Sequence, residues 1–144
     1  MTIEYLTKNK KNIAYSANAG GAFTLVFLGG FMSDMMGSKA THLEDWAIKN
    51  HYGFLRFDYS GHGQSSGVFE SCNISDWLED TYEIITEKTK GPIILIGSSM
   101  GGWISFLVYP KLYDRVVGIV TIAAAPDFTC LLYTSDAADD TSGV

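Results

Sequence analysis

The sequence IILIGSSMGGW, residues 93–103, contains the five-residue pattern G-x-S-x-G at Gly97, Ser99 and Gly101. The pattern directly follows the apolar residues 93–96, which predict a strand buried on both faces. Glycines two positions before and after a serine are typical of a very tight turn from a strand into a helix, because side chains there would clash. We therefore predict that Ser99 lies on such a turn, with a positive φ and its hydroxyl clear of the backbone.

The rest of the chain alternates short apolar runs with helical patterns, which predicts βα units around a mostly parallel sheet. The first two runs predict a hairpin, and the full set of predicted strands is residues 3–6, 12–17, 23–28, 54–57, 93–96 and 116–123. The predicted helices are residues 39–50, a segment capped by Ser75 and stopped by Gly91 and Pro92, and a segment from Met100 that Pro110 ends. Right-handed crossovers would place every strand in one doubly wound α/β sheet.

The residues around Ser99 fit nucleophilic attack on an acyl group. A helix that begins at Met100 brings backbone N–H groups and the positive end of its dipole to the place where an oxyanion develops. We predict the Met100 N–H as one oxyanion donor. The second donor is expected from the loop after strand 23–28, where we favour the Phe31 N–H and keep Gly30 as the reserve. The structural alternative is a glycine-rich turn that binds nothing.

Three runs, residues 28–40, 56–63 and 97–103, resemble a branch of the α/β-hydrolase superfamily. This branch includes the mitochondrial palmitoyl-protein thioesterase, also described as a mycophenolic acid acyl-glucuronide esterase, and its bacterial homologues. The resemblance extends over most of residues 20–127. It implies hydrolysis of carboxylic esters or thioesters through an acyl-enzyme on Ser99, with a small-molecule or acylated-protein substrate and with no metal or organic cofactor. It also implies the chain order Ser, Asp, His for a catalytic triad.

The sequence departs from that order, because its three histidines, His42, His51 and His62, all precede Ser99. We predict that His62 makes hydrogen bonds or faces solvent and that His42 and His51 are solvated. Asp58 is interpreted as the anchor of its own turn, and Asp127 as a helix or loop cap. We therefore expect the chain to stop before the triad acid and histidine, so that this fragment is inactive by itself.

The composition predicts one partial domain, residues 1–129, followed by a foreign tail. Residues 130–144 resemble the translation of a sequencing adapter, and such scars are excluded from fold reasoning. Without Asp136, Asp139 and Asp140, the acidic count falls from 16 to 13 against 10 basic residues, and the net charge changes from −6 to −3. We expect no nucleic-acid partner, no membrane span and a cytoplasmic, bacterial-type protein. Cys72 and Cys130 are too few for a disulfide framework.

Other prominent side chains have ordinary structural explanations. Three tryptophans are predicted to lie in the core: Trp46, Trp77 and Trp103. Four methionines near the active-site loops either line an acyl pocket or fill gaps in the packing: Met32, Met35, Met36 and Met100.

Alternative functions remain open because a fold does not fix a substrate. A serine peptidase or a C–C bond hydrolase would use the same serine turn, whereas dehalogenase-like and epoxide-hydrolase-like variants with Asp there are excluded. A non-catalytic binding protein of the same fold is the alternative from another class. The sequence gives no prediction of the oligomeric state.

Overall fold

The computed structural model describes residues 2–122 and contains six strands and three α-helices within that range. In chain order they are β1 (Glu4–Lys8), β2 (Lys11–Asn18), β3 (Thr24–Leu28), α1 (Ser38–Lys49), β4 (Gly53–Phe57), α2 (Ile74–Lys88), β5 (Ile93–Ser98), α3 (Met100–Leu112) and β6 (Val116–Ile122). A short 3₁₀ helix, Phe69–Ser71, precedes α2. The predicted order of three strands followed by alternating helices and strands is confirmed, and the strand bounds differ from the predicted ones by at most two residues.

All six strands form one sheet in the order β1-β2-β4-β3-β5-β6. The hairpin β1–β2 is antiparallel and β2 pairs antiparallel with β4, whereas β4, β3, β5 and β6 are parallel to one another. After β3 the chain first adds β4 on one side and then β5 on the other. The loops that follow β3, β4 and β5 therefore meet at one edge, which is the place where open α/β sheets bind ligands.

Both faces of the sheet are covered, which explains why the central strands are apolar without interruption. Along β3, Val26 and Leu28 join the core beneath α2 and α3, while Leu25 and Phe27 join the core beneath α1. Successive side chains on a strand point to opposite faces, so one short run contributes to two cores. Burial of each such side chain contributes about 1.5–3 kcal/mol.

The predicted start of the second helix is wrong. The cap of α2 is Asn73, whose side chain accepts the Asp76 N–H while the Asp76 carboxylate accepts the Asn73 N–H. This reciprocal capping box satisfies two N–H groups at once. Ser75 instead lies within the first turn of α2.

This correction can be tested by thermal or denaturant unfolding. Asn73→Ala is expected to lower the free energy of unfolding by about 1 kcal/mol, because it removes the cap acceptor. The matched control is Ser75→Ala, at an exposed position two residues later, for which we expect a change within about 0.5 kcal/mol. A larger loss for Ser75→Ala than for Asn73→Ala would contradict the assignment of the cap.

Two further sequence predictions are corrected. Helix α3 continues through Pro110 to Leu112. Proline lacks the N–H that would pair with the Phe106 carbonyl one turn earlier, and the helix tolerates this loss in its last turn, where Phe106 is an exposed residue. Trp77 is buried and Trp103 packs partly against the core, as predicted, but Trp46 lies on the outer face of α1 and stacks on Tyr52 at 5.6 Å.

The predicted foreign tail at residues 130–144 and the predicted cap Asp127 lie outside the described residues. The division of the chain at residue 129 therefore stays a prediction.

Candidate active site

Ser99 is the single residue between the end of β5 and the start of α3. Its backbone has φ 56° and ψ −118°, a conformation that L-residues rarely adopt and that costs about 1–3 kcal/mol. The turn is held from both sides, because the Ser99 N–H donates to the Ile122 carbonyl at 2.9 Å and the Ser99 carbonyl accepts the Gly102 N–H at 2.9 Å. The predicted positive φ is thus confirmed.

The two glycines of the motif are required by close backbone approaches. A Cβ at Gly97 would overlap the carbonyl group of Gly101, and a Cβ at Gly101 would overlap the carbonyl group of Leu28 at the end of β3. Gly101 therefore lets the first turn of α3 sit directly against β3. These contacts bring the start of α3 and the end of the central strand to the same point.

Serine is a good helix cap, but the Ser99 side chain makes no capping hydrogen bond to α3. Its side chain is partly exposed, whereas Met100 next to it is buried. The helix therefore presents its first N–H groups and the positive end of its dipole beside Ser99 without using the serine oxygen. A partly exposed serine next to such a helix end is suited to attack a carbonyl whose oxygen becomes negative.

The loop after β3, residues 29–36, is called the β3 loop here, and it reaches Ser99 through Gly30. A Cβ built on Gly30 would lie 3.4 Å from the Ser99 Cβ and 3.5 Å from the Ser98 carbonyl oxygen. The next residue, Phe31, is 47% exposed and packs its ring against Phe69 and Trp77. The structure thus brings the reserve donor Gly30 against Ser99. The donor roles of the Phe31 and Met100 N–H groups stay predictions.

The loop after β4, residues 58–67, is called the β4 loop here, and its side chains bond to the β3 loop. His62 Nε2 accepts the Met32 N–H at 3.1 Å, and Asp58 Oδ1 accepts the Met35 N–H at 2.7 Å. The prediction that His62 makes hydrogen bonds is confirmed. Asp58 does anchor its own turn, through the Gln64 N–H at 2.9 Å, but sequence reasoning missed its bond to the β3 loop.

Charged groups beneath the site are buried and paired. Arg56 on β4 forms an ion pair with Glu44 of α1 at 2.7 Å, and it also donates to the Met35 carbonyl at 3.0 Å. Burial raises the pKa of Asp58, and the N–H groups of Gln64 and Met35 oppose that shift. Burial also raises the pKa of Tyr59, whose hydroxyl donates to the Gly29 carbonyl at 2.9 Å. None of these residues was singled out by the sequence as a contact of the β3 loop.

Two cavities flank the β3 loop. One of about 230 Å³ is lined by Gly30, Ser98 and the start of α1, and one of about 240 Å³ by Met32, His62 and Phe69. Met32 thus lines a cavity, whereas Met35 and Met100 are buried and fill the core. A larger groove of about 490 Å³ lies between the ends of β2 and α2, at residues such as Asn18 and Lys90, and does not include Ser99. None of these three cavities is lined by Ser99 itself, and the cavity of about 230 Å³ is lined by its neighbour Ser98 and by Gly30.

No cluster of three His, Cys, Asp or Glu side chains that could hold a metal ion occurs within residues 2–122. The helices of that same range are all too short or too polar to cross a membrane.

The mostly parallel sheet, the strained serine between β5 and α3, and the adjoining β3 loop define the α/β-hydrolase fold. A family model described as "Serine aminopeptidase, S33" matches residues 24–133, and the chain belongs to this family of α/β-hydrolases.

The relatives include the branch that the sequence resembles. The chain is 36% identical over 127 residues to bovine (Bos taurus) "Palmitoyl-protein thioesterase ABHD10, mitochondrial", an alignment that covers 88% of this chain and 42% of the relative. The mouse ABHD10 structure superposes with a TM-score of 0.86 at 31% identity, covering 95% of this chain and 55% of the other. A crystal structure of an Agrobacterium vitis S4 protein gives a TM-score of 0.80 at 38% identity, covering 96% and 59%.

The chain thus spans less than half the length of the bovine relative that it matches. That relative is named as mitochondrial, so the predicted cytoplasmic location stays a prediction.

Proposed function

We propose that Ser99 is the nucleophile of a serine hydrolase that cleaves carboxylic esters or thioesters through an acyl-enzyme. The observation that carries this proposal is the strained backbone of Ser99, at φ 56°, between two glycines that admit no side chain. Strain of this kind persists only where the surrounding structure enforces it, and it is concentrated at functional sites. Here the strain holds the hydroxyl at the sheet edge where the β3 loop and α3 meet.

In the proposed reaction, the Ser99 Oγ attacks the acyl carbon, and the carbonyl oxygen becomes an oxyanion. The backbone N–H groups of Met100 and Phe31 donate to that oxyanion, with the dipole of α3 aligned to stabilise it. Loss of one such donor in other hydrolases costs about 10²–10³ in kcat. Collapse of the tetrahedral intermediate breaks the bond to the alcohol or thiol leaving group, and water then releases the acid.

A base must accept the Ser99 proton, and His62 is a poor candidate because both its ring nitrogens are engaged. Nε2 accepts the Met32 N–H at 3.1 Å and Nδ1 lies 3.1 Å from the Ser60 carbonyl oxygen. His42 and His51 are both exposed, in and just after α1. On this proposal, the acid and base that act on Ser99 lie outside residues 2–122, in the order Ser, Asp, His implied by the resemblance.

The substrate class is tested on the full-length product of the gene. Three acyl donors with the same short acyl chain are compared: a p-nitrophenyl ester, a thioester and an amide. We expect hydrolysis of a p-nitrophenyl ester and of an acyl thioester, because the bovine relative is named a thioesterase and the proposed mechanism treats both leaving groups alike. The matched amide should react at least about 10²-fold more slowly, since its amine must be protonated to leave. Faster turnover of the amide would overturn the assignment as an esterase or thioesterase.

A second candidate is a serine aminopeptidase, which the description of the matching family favours. An aminoacyl p-nitroanilide distinguishes the two candidates. An aminopeptidase should cleave this amide and should require its free α-amino group, whereas an esterase or thioesterase should cleave it slowly and has no need of that group. A purely binding role predicts turnover of none of these donors together with no covalent labelling of Ser99.

A further inference from the structure

The β3 loop must be held firmly if its N–H is to meet an oxyanion, and the structure shows where it is held. Met32 has φ 60°, a left-handed conformation that costs free energy for a residue other than glycine. Its side chain is 70% exposed, so packing of that side chain does not enforce the conformation. The Met32 N–H, however, donates to His62 Nε2 at 3.1 Å. Met32 is also the third residue of a β-turn over residues 30–33, in which the Ser33 N–H donates to the Gly30 carbonyl at 3.2 Å. The turn bond and the bond to His62 together hold the strained residue.

The hydrogen bonds of His62 define its tautomer. Because Nε2 accepts from a backbone N–H, the neutral ring carries its proton on Nδ1, which then donates to the Ser60 carbonyl at 3.1 Å. The Trp77 Nε1–H donates to the same carbonyl at 3.0 Å. The His62 ring is 4% exposed and makes edge contacts with Tyr59, Phe69 and Trp77 at 5.1–5.5 Å between centroids. Its orientation is therefore fixed.

The β4 loop is a rigid support for this bond. The Ser60 N–H donates to the buried Asp80 carboxylate at 2.7 Å, and that carboxylate also pairs with Lys11 at 2.8 Å. The Ser65 hydroxyl donates to the Asp58 carbonyl at 2.6 Å and accepts the Ala14 N–H of β2 at 2.9 Å. The position of His62 is thus determined by β2, α2 and its own loop.

Phe31 lies between two fixed points of the β3 loop. On one side, Gly30 approaches the Ser99 Cβ, and on the other, the Met32 N–H is held by His62. The Phe31 ring also packs on Phe69 and Trp77, at 5.2 and 6.0 Å, which are two of the three aromatic rings that His62 contacts. A change at His62 would therefore act on the Phe31 backbone through the neighbouring peptide unit and through shared packing.

We propose that His62 is a positioning residue for acyl transfer, which holds the Met32 N–H and so directs the preceding Phe31 N–H towards the oxyanion at Ser99. This inference rests on the proposed function of Ser99. His62 neither touches the acyl group nor accepts the serine proton. Its contribution is made in the transition state, because the oxyanion donor binds the developing charge more tightly than the ground-state carbonyl.

The test compares two amide replacements of His62 in the full-length gene product. In His62→Gln the Oε1 atom can replace Nε2 as the acceptor for Met32, whereas in His62→Asn the shorter side chain keeps a donor near the Ser60 carbonyl but does not reach Met32. For a p-nitrophenyl ester we expect the Asn variant to lose about 100-fold in kcat with KM within about twofold, since small displacements of a catalytic group cost that much. The Gln variant should recover to within about tenfold of the unmodified protein.

Equal kcat values for the Gln and Asn variants would overturn the positioning role. The matched control is His42→Ala, an exposed histidine of α1, which should leave kcat unchanged. The tautomer is checked without any substitution by ¹⁵N NMR of the ring nitrogens, which should show a proton on Nδ1 of His62, and a proton on Nε2 would overturn the inference. Full activity of Ser99→Ala would refute the proposed function itself. If Ser99→Ala is inactive but His62→Gln and His62→Asn have equal kcat values, the positioning role alone is refuted.

Discussion

Ser99→Ala is expected to abolish labelling of the full-length gene product by a fluorophosphonate and to lower kcat for ester hydrolysis by about 10⁴–10⁶-fold. The magnitude follows from other serine hydrolases, in which nucleophile and base act as a unit and loss of the nucleophile removes most of the catalysis. Replacement of the hydroxyl by hydrogen leaves the oxyanion donors and the fold in place. The loss should therefore appear in kcat, with substrate binding largely retained.

Ser98→Ala is the matched control for this experiment. Ser98 is adjacent in sequence and buried at the end of β5, but Ile96 and Met100 occupy the positions where the turn requires glycine. We expect the Ser98 variant to be labelled like the unmodified protein. Undiminished labelling of the Ser99 variant would remove Ser99 from the role of nucleophile, and loss of labelling in the Ser98 variant would show that the reactive residue had been misassigned.

The parts of the fold that could be predicted from sequence are those determined by local pattern. The strands are identifiable because a strand that is buried on both faces of a parallel sheet is a continuous apolar run, without alternating polar residues, as in β3 and β5. The ends of the helices are less predictable, since Asn73 and Ser75 are both good caps and the choice depends on the reciprocal bond with Asp76. The exposure of Trp46 depends on the face of α1 that meets the sheet, and residue type alone does not determine that face.

The candidate site likewise has features that could be predicted from the sequence and features that could not. The conformation of Ser99 follows from five adjacent residues, and the proximity of the β3 loop follows from β3 and β5 being parallel neighbours. The bonds of His62 to Met32 and of Asp58 to Met35 join residues that are 30 and 23 positions apart. They depend on β4 lying on the opposite side of β3 from β5. Several pairings of the strands would satisfy the sequence pattern, so these contacts could not be inferred from it.

Gly101→Ala is expected to prevent stable folding, with a loss of more than about 4 kcal/mol in the free energy of unfolding. In the interior of an ordinary helix the same change would stabilise by about 1 kcal/mol, because alanine has the higher helix propensity. At Gly101 the new Cβ would overlap the Leu28 carbonyl group and approach the Gly29 carbonyl oxygen at 2.8 Å. Backbone atoms of the central strand cannot move aside as a flexible side chain could, so α3 would have to separate from β3.

The control for this substitution is the next residue of the same helix. A Cβ at Gly102 would lie 3.2 Å from the Thr121 Cγ2 of β6, a contact that a few tenths of an ångström of movement relieve, and 3.7 Å from the Gly97 carbonyl oxygen, an ordinary van der Waals distance. The gain in helix propensity offsets this crowding, so we expect Gly102→Ala to change the free energy of unfolding by less than about 1 kcal/mol. Urea unfolding followed by circular dichroism measures both variants. Equal stability of the two variants would show that α3 and the end of β3 are not packed closely enough to exclude a Cβ at Gly101. The geometric explanation of the strain at Ser99 would then fail.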